Sequence, residues 1–486
     1  MQRKILVVVL SLSLLGLQST VLSLNEHKLT DFDPLVDLEV TIDILCIRSL
    51  EKDDSHVNAK EEIDKNSDPD FYLKVFVNTE EFVSDIWHNT KYIYNPNWSA
   101  TANVADDQEL VDIIIQLWDA KDETFEEDRL CDISGDTGTT IDSYDVEIQY
   151  NIKTGHWTGD DFLQADSNII DPSGYGRLNG CDDGSIYIQE RDCELWFCIS
   201  QNDFDNDGIP YYAEIEIYQT DPTISDIGVD EDGDGIPFEW EHHWGYNPKA
   251  EDKHTQLDPE DDGLDNYEEY LMAEWYADPY RDDVFVELDQ MEPSPSGEES
   301  IFPEGAKELL FTVFNRNNVV YHLDDGDMGG SESIPFNELC EWQDVRGYYQ
   351  DYFLHGDEDN WRKGIFHYGV LIYDADGAPG YAFGRDAYQI SSKEMENYAK
   401  NSWLDRDVVY ASGYMHEIGH NFNFWPIPGH NHQSVYPWQV GYWLNRLYIS
   451  CMNYGYIYQM VDYSDGSRFL RDYNDWERMD ISGFQQ

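Results

Sequence analysis

The sequence predicts a multidomain protein: an N-terminal all-β sandwich, a central array of repeated acidic loops, and a C-terminal α+β domain. Three observations predict it. Alternating apolar and polar runs bounded by polar turns recur from about residue 35 to 134. An acid-rich pattern then repeats three times at near-constant spacing. From about Asp282 onward, strand-like and helix-like segments mix, and one of the helices carries two histidines four residues apart.

At 486 residues the chain has room for two to four domains, each with its own core. It carries 99 acidic and 30 basic residues, a net charge of −69. Nothing in such a balance could neutralise phosphates, so nucleic acid is excluded as a partner. An aromatic content of 14% argues against a disordered acidic chain. The acidity suits a calcium-loaded or salt-adapted secreted protein.

Met1-Gln2-Arg3-Lys4, an apolar run from Ile5 to Leu17 and small or polar residues to Ser23 read as a secretory signal peptide over 1–23. That run is too short to serve well as a membrane span, and no later stretch is apolar enough. The expected location is therefore secreted, extracellular. Seven cysteines are few for this length, and their odd number leaves at least one thiol free or paired between chains.

The first domain is expected over 35–135. Leu38 to Leu45 alternates, and Phe71 to Val77 and Val111 to Trp118 follow as further strands. Asp68-Pro69-Asp70 before Phe71, and Trp118-Asp119 through Asp122 to Asp128, form two acidic loops. These stretches resemble the strand entrance and second acidic loop of C2 domains. The resemblance implies calcium held at one rim by Asp68, Asp70, Asp119, Asp122 and Asp128, and peripheral contact with a membrane or surface. Residues 136–199, with strand-like Tyr144 to Tyr150, read as a β-rich extension of the sandwich or a small domain of its own.

Residues 200–280 repeat. Asp203, Asp205, Asp207 and Gly208 precede Glu214; Asp230, Asp232, Asp234 and Gly235 precede Glu241; Asp258, Glu260, Asp262 and Gly263 precede Glu269. In each copy acids occupy loop positions 1, 3 and 5, glycine position 6 and glutamate position 12, the ligand register of an EF-hand-type calcium loop. The copies start 27 and 28 residues apart (203, 230, 258), and each is followed by an Asn/Asp-Pro turn. The segment resembles thrombospondin type 3 repeats and related spacers. That implies several structural calcium ions and a rigid separation of the flanking domains, formed only where calcium is plentiful.

The last domain is expected over 281–486. Val284 to Leu288 reads as a strand, Glu304 to Asn315 as a helix, and Val319 to Leu323 and Ile365 to Tyr373 as strands. Gly380 to Tyr388 reads as an edge strand, and a helix should run from near Asp405 to before Pro426. On that helix stands His416-Glu417-Ile418-Gly419-His420. Histidines at i and i+4 share one face and can reach one metal ion, with Glu417 placed as a proton acceptor for a bound water.

The pattern alone also occurs in ordinary amphipathic helices. Ser450-Cys451-Met452-Asn453-Tyr454 follows it, and together the two resemble the metzincin zinc endopeptidases. The resemblance implies one catalytic zinc, a structural Met452 beneath it, and Tyr454 facing substrate, where it could bond the oxyanion. Where that family has a glycine and a third histidine, this chain has Asn423 and Pro426. Asparagine can still make a left-handed turn. Between Asn421 and Cys451 there is no Asp or Glu. The third ligand is then His430 or His432, unless it comes from elsewhere, and His430 is favoured because it follows the Pro-Ile-Pro-Gly turn.

The resulting expectation is a secreted zinc metalloendopeptidase stabilised by calcium, acting on protein or peptide substrates. Two alternatives stand beside it: a non-catalytic, calcium-dependent adhesion or binding protein with a degenerate zincin domain, and a zinc hydrolase of another ester or amide.

Overall fold

In Leu110–Asp119 every second side chain is buried: Val111, Ile113, Ile115 and Leu117 face inward while Asp112 and Gln116 face out. The same two-residue period builds the rest of the N-terminal domain, because successive strand side chains point to opposite faces. The computed structural model describes residues 38–51, 63, 67–105, 107–121, 127–135, 144–160, 176–181, 191–402, 404–468 and 471–483. The expected signal peptide over 1–23 lies outside the described residues.

The strands are β1 (Glu39–Ser49), β2 (Phe71–Val77), β3 (Glu80–Val83), β4 (Tyr92–Tyr94), β5 (Ser99–Asn103) and β6 (Leu110–Asp119). They continue with β7 (Arg129–Leu130), β8 (Val146–Asn151), β9 (His156–Gly159), β10 (Gly176–Asn179) and β11 (Cys193–Gln201). One sheet has the order β10-β11-β1-β4 with β5 also on β1; the other has β3-β2-β6-β8-β9 with β7 on β6. Every pairing is antiparallel.

The two sheets share one core, including Ile42, Ile47, Phe71, Val75, Ile115, Val146, Leu195 and Phe197. Residues beyond 135 are therefore not an appendage. β8 pairs with β6 and β11 with β1, so the segment completes both sheets and a boundary at 135 cuts through them. Of the two readings of 136–199, an extension of the sandwich is the one observed, and the pairing itself has no local signature because β8 and β11 meet strands far away in the chain.

The repeat array follows, with a helical turn at Ala213–Tyr218, α1 (Phe238–His243) and α2 (Asn266–Leu271). Each is a turn or two long and too short to be stable alone. Ring stacking holds them together, as between Trp240 and Tyr246, 5.9 Å apart and 8° from parallel.

The C-terminal domain contains β12 (Asp283–Met291), α3 (Glu304–Asn315), β13 (Val320–Asp324), β14 (Ser333–Ile334), α4 (Trp342–Tyr348) and β15 (Phe366–Ile372). Then come β16 (Gly380–Ala382), β17 (Ala387–Ser391), α5 (Ser392–Asn401), α6 (Arg406–Asn421) and α7 (Val440–Asn445). The sheet order is β13-β12-β15-β17-β16, with β14 also on β12. All neighbours are parallel except β16, which runs antiparallel along the edge. The strand expected over 380–388 is thus a hairpin: β16, a turn through Gly384 at φ +87°, and the start of β17.

Helix α6 begins as expected, with Asp405 as its cap accepting a hydrogen bond from Asp407 N–H at 2.8 Å. It packs on α3, α5, β16 and β17, which bury Tyr410, Tyr414, Met415 and Ile418.

A rigid separation of sandwich and C-terminal domain was the expectation; instead they touch. Arg48 on β1 reaches Glu308 on α3 at 2.7 Å and lies 3.7 Å from Glu194. Asn315 donates to Glu194 at 2.8 Å and accepts from Asn179 through its carbonyl at 2.8 Å. The array also leans on the sandwich, where His156 Nε2 meets the His242 carbonyl at 2.7 Å. The array has small cores of its own, one of Ile209, Ala213, Tyr218 and Phe238 and one around Ile236, Trp240 and Trp244.

Arg48 is 3% exposed, so truncating it removes the cation that Glu194 and Glu308 share. Arg48→Ala is expected to cost about 3–5 kcal/mol, measured by chemical denaturation; an unchanged midpoint would mean the interface contributes nothing.

Candidate metal centre

Helix α6 sets the first geometry. One helical turn separates His416 from His420, and their rings stand 5.0 Å apart at 90°. His430 arrives from the loop after the helix, its ring 5.2 Å from His416 and 4.9 Å from His420. One nitrogen from each of the three lies within 4.8 Å of the others. Among the described residues His430 Nε2 is buried without a hydrogen-bond partner, as a metal ligand would be. His432 does not share this cluster; its ring packs 5.9 Å from Tyr454.

His416 donates from Nδ1 to the Cys451 carbonyl at 2.8 Å, which leaves Nε2 with its lone pair toward the cluster. Burial, then the neighbouring imidazoles, holds His416 well below the ordinary histidine range, and His420 down to about 4. Burial lowers His430 as well. All three are neutral nitrogen donors near pH 7. That set suits zinc, which takes imidazole in a tetrahedral arrangement with one place open.

The turn after Ser450 underpins this arrangement. Met452 Sδ lies against the helix where a β-carbon on Gly419 would come within 2.5 Å of it. Asn453 donates to the Asn445 and Tyr448 carbonyls at 3.1 and 2.9 Å. Gly429, at φ +80°, leaves room for that same Asn453 side chain and turns the backbone into His430. Asn423 also takes a left-handed φ of +57°, as its type allows.

The acidic tail secures the turn from below. Asp475 is fully buried and accepts from Tyr448 at 2.7 Å, Ser450 at 2.8 Å and the Ser464 N–H at 3.2 Å.

Burial pushes the Glu417 carboxyl up to about 8, opposed by a hydrogen bond from the Ala382 N–H. Glu417 is therefore tied to β16, the edge strand. The Tyr454 ring lies 4.4 Å from that of His430, and its hydroxyl is raised by burial and by the Glu417 charge.

The three acidic loops share one construction. The position-6 N–H of Gly208, Gly235 and Gly263 donates to Asp203, Asp230 and Asp258 at 3.1, 3.1 and 3.0 Å. Asp207, Asp234 and Asp262 accept from Ile209, Ile236 and Leu264 through one oxygen. Through the other they accept from the N–H of Asp226, Asp252 and Asp283, at 2.9, 3.0 and 2.8 Å.

Both oxygens of Asp205, Glu241, Glu260 and Glu269 are buried without hydrogen bonds, as is one each of Glu214, Asp232 and Asp258. Burial, then neighbouring carboxylates, pushes Asp205 to about 6, Glu214 to about 8 and Glu260 to about 11. Oxygens held in this way fit a hard divalent cation.

The acids expected at the sandwich rim have protein partners. Asp119 pairs with Lys121, whose backbone N–H donates to Asp128 at 3.1 Å. Tyr72 donates to the other Asp128 oxygen at 2.9 Å. Asp70 accepts from the Asn89 N–H at 2.6 Å, and Asp68 lies 4.0 Å from Lys91. Asp122 lies outside the described residues.

No family model and no curated protein matches this chain. Solved structures do. A structure of a C2 domain matches at 13% identity and TM-score 0.19, over 34% of this chain and 98% of that one. A C2 domain protein from Ramazzottius varieornatus matches at 9% and 0.20, over 33% and 87%. A calcium-bound pair of C2 domains from extended-synaptotagmin 2 matches at 11% and 0.19, over 34% and 45%. In human GIVD cytosolic phospholipase A2 the match spans 17% of that chain.

Sequence reasoning missed the Cys451 carbonyl and the Ala382 N–H, which are backbone groups with no residue signature. It also missed Asp226, Asp252 and Asp283, although an acid 18 to 21 residues after each position-5 Asp (207, 234, 262) was there to be seen.

A carboxyl whose folded pKa lies above its unfolded value stabilises the fold at low pH and loses that contribution as pH rises through the folded value. In chelator, the melting temperature is therefore expected to fall from pH 5 to pH 9 as Asp205 and then Glu214 lose their protons. Saturating calcium should reverse the trend, since protons then compete with the ion. Superimposable melts with and without calcium would remove cations from the account of the fold.

Proposed function

We propose that the protein is a zinc-dependent endopeptidase of metzincin-like type, with calcium holding its repeat array. The observation that carries this reading is the convergence of His416, His420 and His430 beside the buried carboxyl of Glu417. A zinc ion bound there would supply a Lewis acid for a peptide carbonyl and a water acidified toward neutrality.

The chain's own residues do the rest. The free edge of β16 takes the substrate backbone as an added extended strand, which brings a peptide carbonyl beside Glu417. Glu417 accepts a proton from the attacking water and delivers it to the nitrogen of the breaking C–N bond, giving a carboxylate and an amine. Burial raises the Glu417 carboxyl, and the charge of a zinc ion beside it would oppose that rise and favour the carboxylate that accepts the proton. Tyr454, beside His430, offers its hydroxyl to the oxygen where negative charge develops.

A second reading, a calcium-dependent binding protein that holds metal without turnover, draws on the surface beside the site. Trp425 and Trp438 are 79% and 78% exposed there, with Val440, Trp443 and Leu444 also open. The sandwich, in this reading, would add contact with a membrane or another surface.

Zinc content and casein cleavage, measured on calcium-loaded protein, separate the two. Glu417→Gln is expected to keep its zinc and lose roughly 10²–10⁴-fold in cleavage rate. His430→Ala should lose the zinc and His432→Ala retain it. Zinc without cleavage of casein or of an ester and amide panel would favour the binding protein, and absence of zinc would end the enzyme reading.

A further inference from the structure

The three loops share a backbone plan but not a donor set. In the second, His254 enters the cage: its Nε2 lies 3.3 Å from Asp234 Oδ2 and 3.6 Å from Glu241 Oε1. The histidine is 2% exposed and Glu241 is fully buried. Nε2 and both Glu241 oxygens are buried without a hydrogen bond, although Nε2 and Oε1 lie within ion-pair range of each other. One donor atom each from Asp234, Glu241 and His254 lies within 4.8 Å of the others, and Asp230, Asp232 and Asp234 form an overlapping group.

The other two loops have no histidine at the matching place. His254 stands two residues after Asp252; the matching places after Asp226 and Asp283 are Gly228 and Phe285. In the first loop the additional donor is the Asp226 carboxylate, which groups with Asp207 and Glu214.

The far side of the imidazole is also organised. His254 Nδ1 lies 3.1 Å from the side-chain amide of Asn266, whose oxygen is buried with no partner. Turning that amide by half a rotation sets its oxygen against an Nδ1–H, satisfies it, and leaves the Nε2 lone pair directed at Asp234 and Glu241. That is how outer hydrogen bonds orient metal-bound histidines. Trp240 and Tyr246 pack edge-on against the ring at 5.9 and 5.0 Å and fix its plane.

We propose that the second loop is a mixed nitrogen–oxygen site for a first-row divalent cation such as zinc, with His254, Asp234 and Glu241 as ligands, set between two all-oxygen calcium loops. Calcium takes oxygen ligands, whereas imidazole nitrogen favours the borderline ions. The site is separate from the His416, His420, His430 cluster, which lies in the C-terminal domain on α6 and the loop after it.

The test is zinc stoichiometry by equilibrium dialysis on the full chain, in millimolar calcium, with folding followed by circular dichroism. Wild type is expected to bind two zinc ions. His416→Ala with His420→Ala should leave one, His254→Ala should leave the other, and the triple variant none. His254→Asp, which restores an oxygen cage, is expected to lose the same zinc, bind one more calcium and keep the fold. Its zinc affinity at this site should drop more than about tenfold. Wild-type zinc stoichiometry in both His254 variants would overturn the proposal, whether or not the histidines of α6 bind zinc. A single zinc in wild type that survives His416→Ala/His420→Ala but not His254→Asp would uphold it and sink the α6 reading instead.

Discussion

A carboxylate leaves water only if something takes up its charge, and with 99 acidic against 30 basic residues this chain has far too few cationic side chains to go round. Two of its buried arginines stand where two acids meet. Arg48 sits between Glu194 and Glu308, and Arg362 between Glu287 and Asp324. Lys121 takes Asp119 at the sandwich rim. The repeat loops have buried carboxylate oxygens without even a hydrogen bond. In the proposed function, calcium ions would answer that deficit.

The histidine cluster is held by a different economy, in which backbone groups orient side chains. The Cys451 carbonyl fixes one imidazole, the turn behind it accommodates the helix, and the Asn453 side chain props the loop that brings in His430. Asp475 closes this system with three hydrogen bonds from the turn and its surroundings. Ligand geometry thus depends on residues up to about sixty positions away (416 to 475), so the site is a property of the whole domain and not of the helix.

Much of this was legible in the sequence. The two-residue period located β1, β2 and β6, and the helical period with an Asp cap located α6. The absence of Asp and Glu between Asn421 and Cys451 left His430 and His432 as candidates with His430 favoured, and it is His430 that the fold brings to His416 and His420. What stayed hidden was long-range. Pairing of β8 with β6 and β11 with β1 joins segments whose partners no local pattern names. The hairpin within 380–388 hid behind a run that is apolar on both sides of its turn. Burial of Asp475 has no local signature either, since it depends on Tyr448 and Ser450 arriving from another part of the chain.

Asp283 belongs to two things at once. Its N–H completes the third loop through Asp262, and as the first residue of β12 it opens the central sheet, where its carboxylate bonds His322 on β13 at 2.6 Å. No linker intervenes at this junction. The array is consequently not an exchangeable cassette: a recombination point between α2 and β12 would part the third loop from the Asp283 N–H that completes it, and grafting the C-terminal domain elsewhere would require carrying the last repeat along with it.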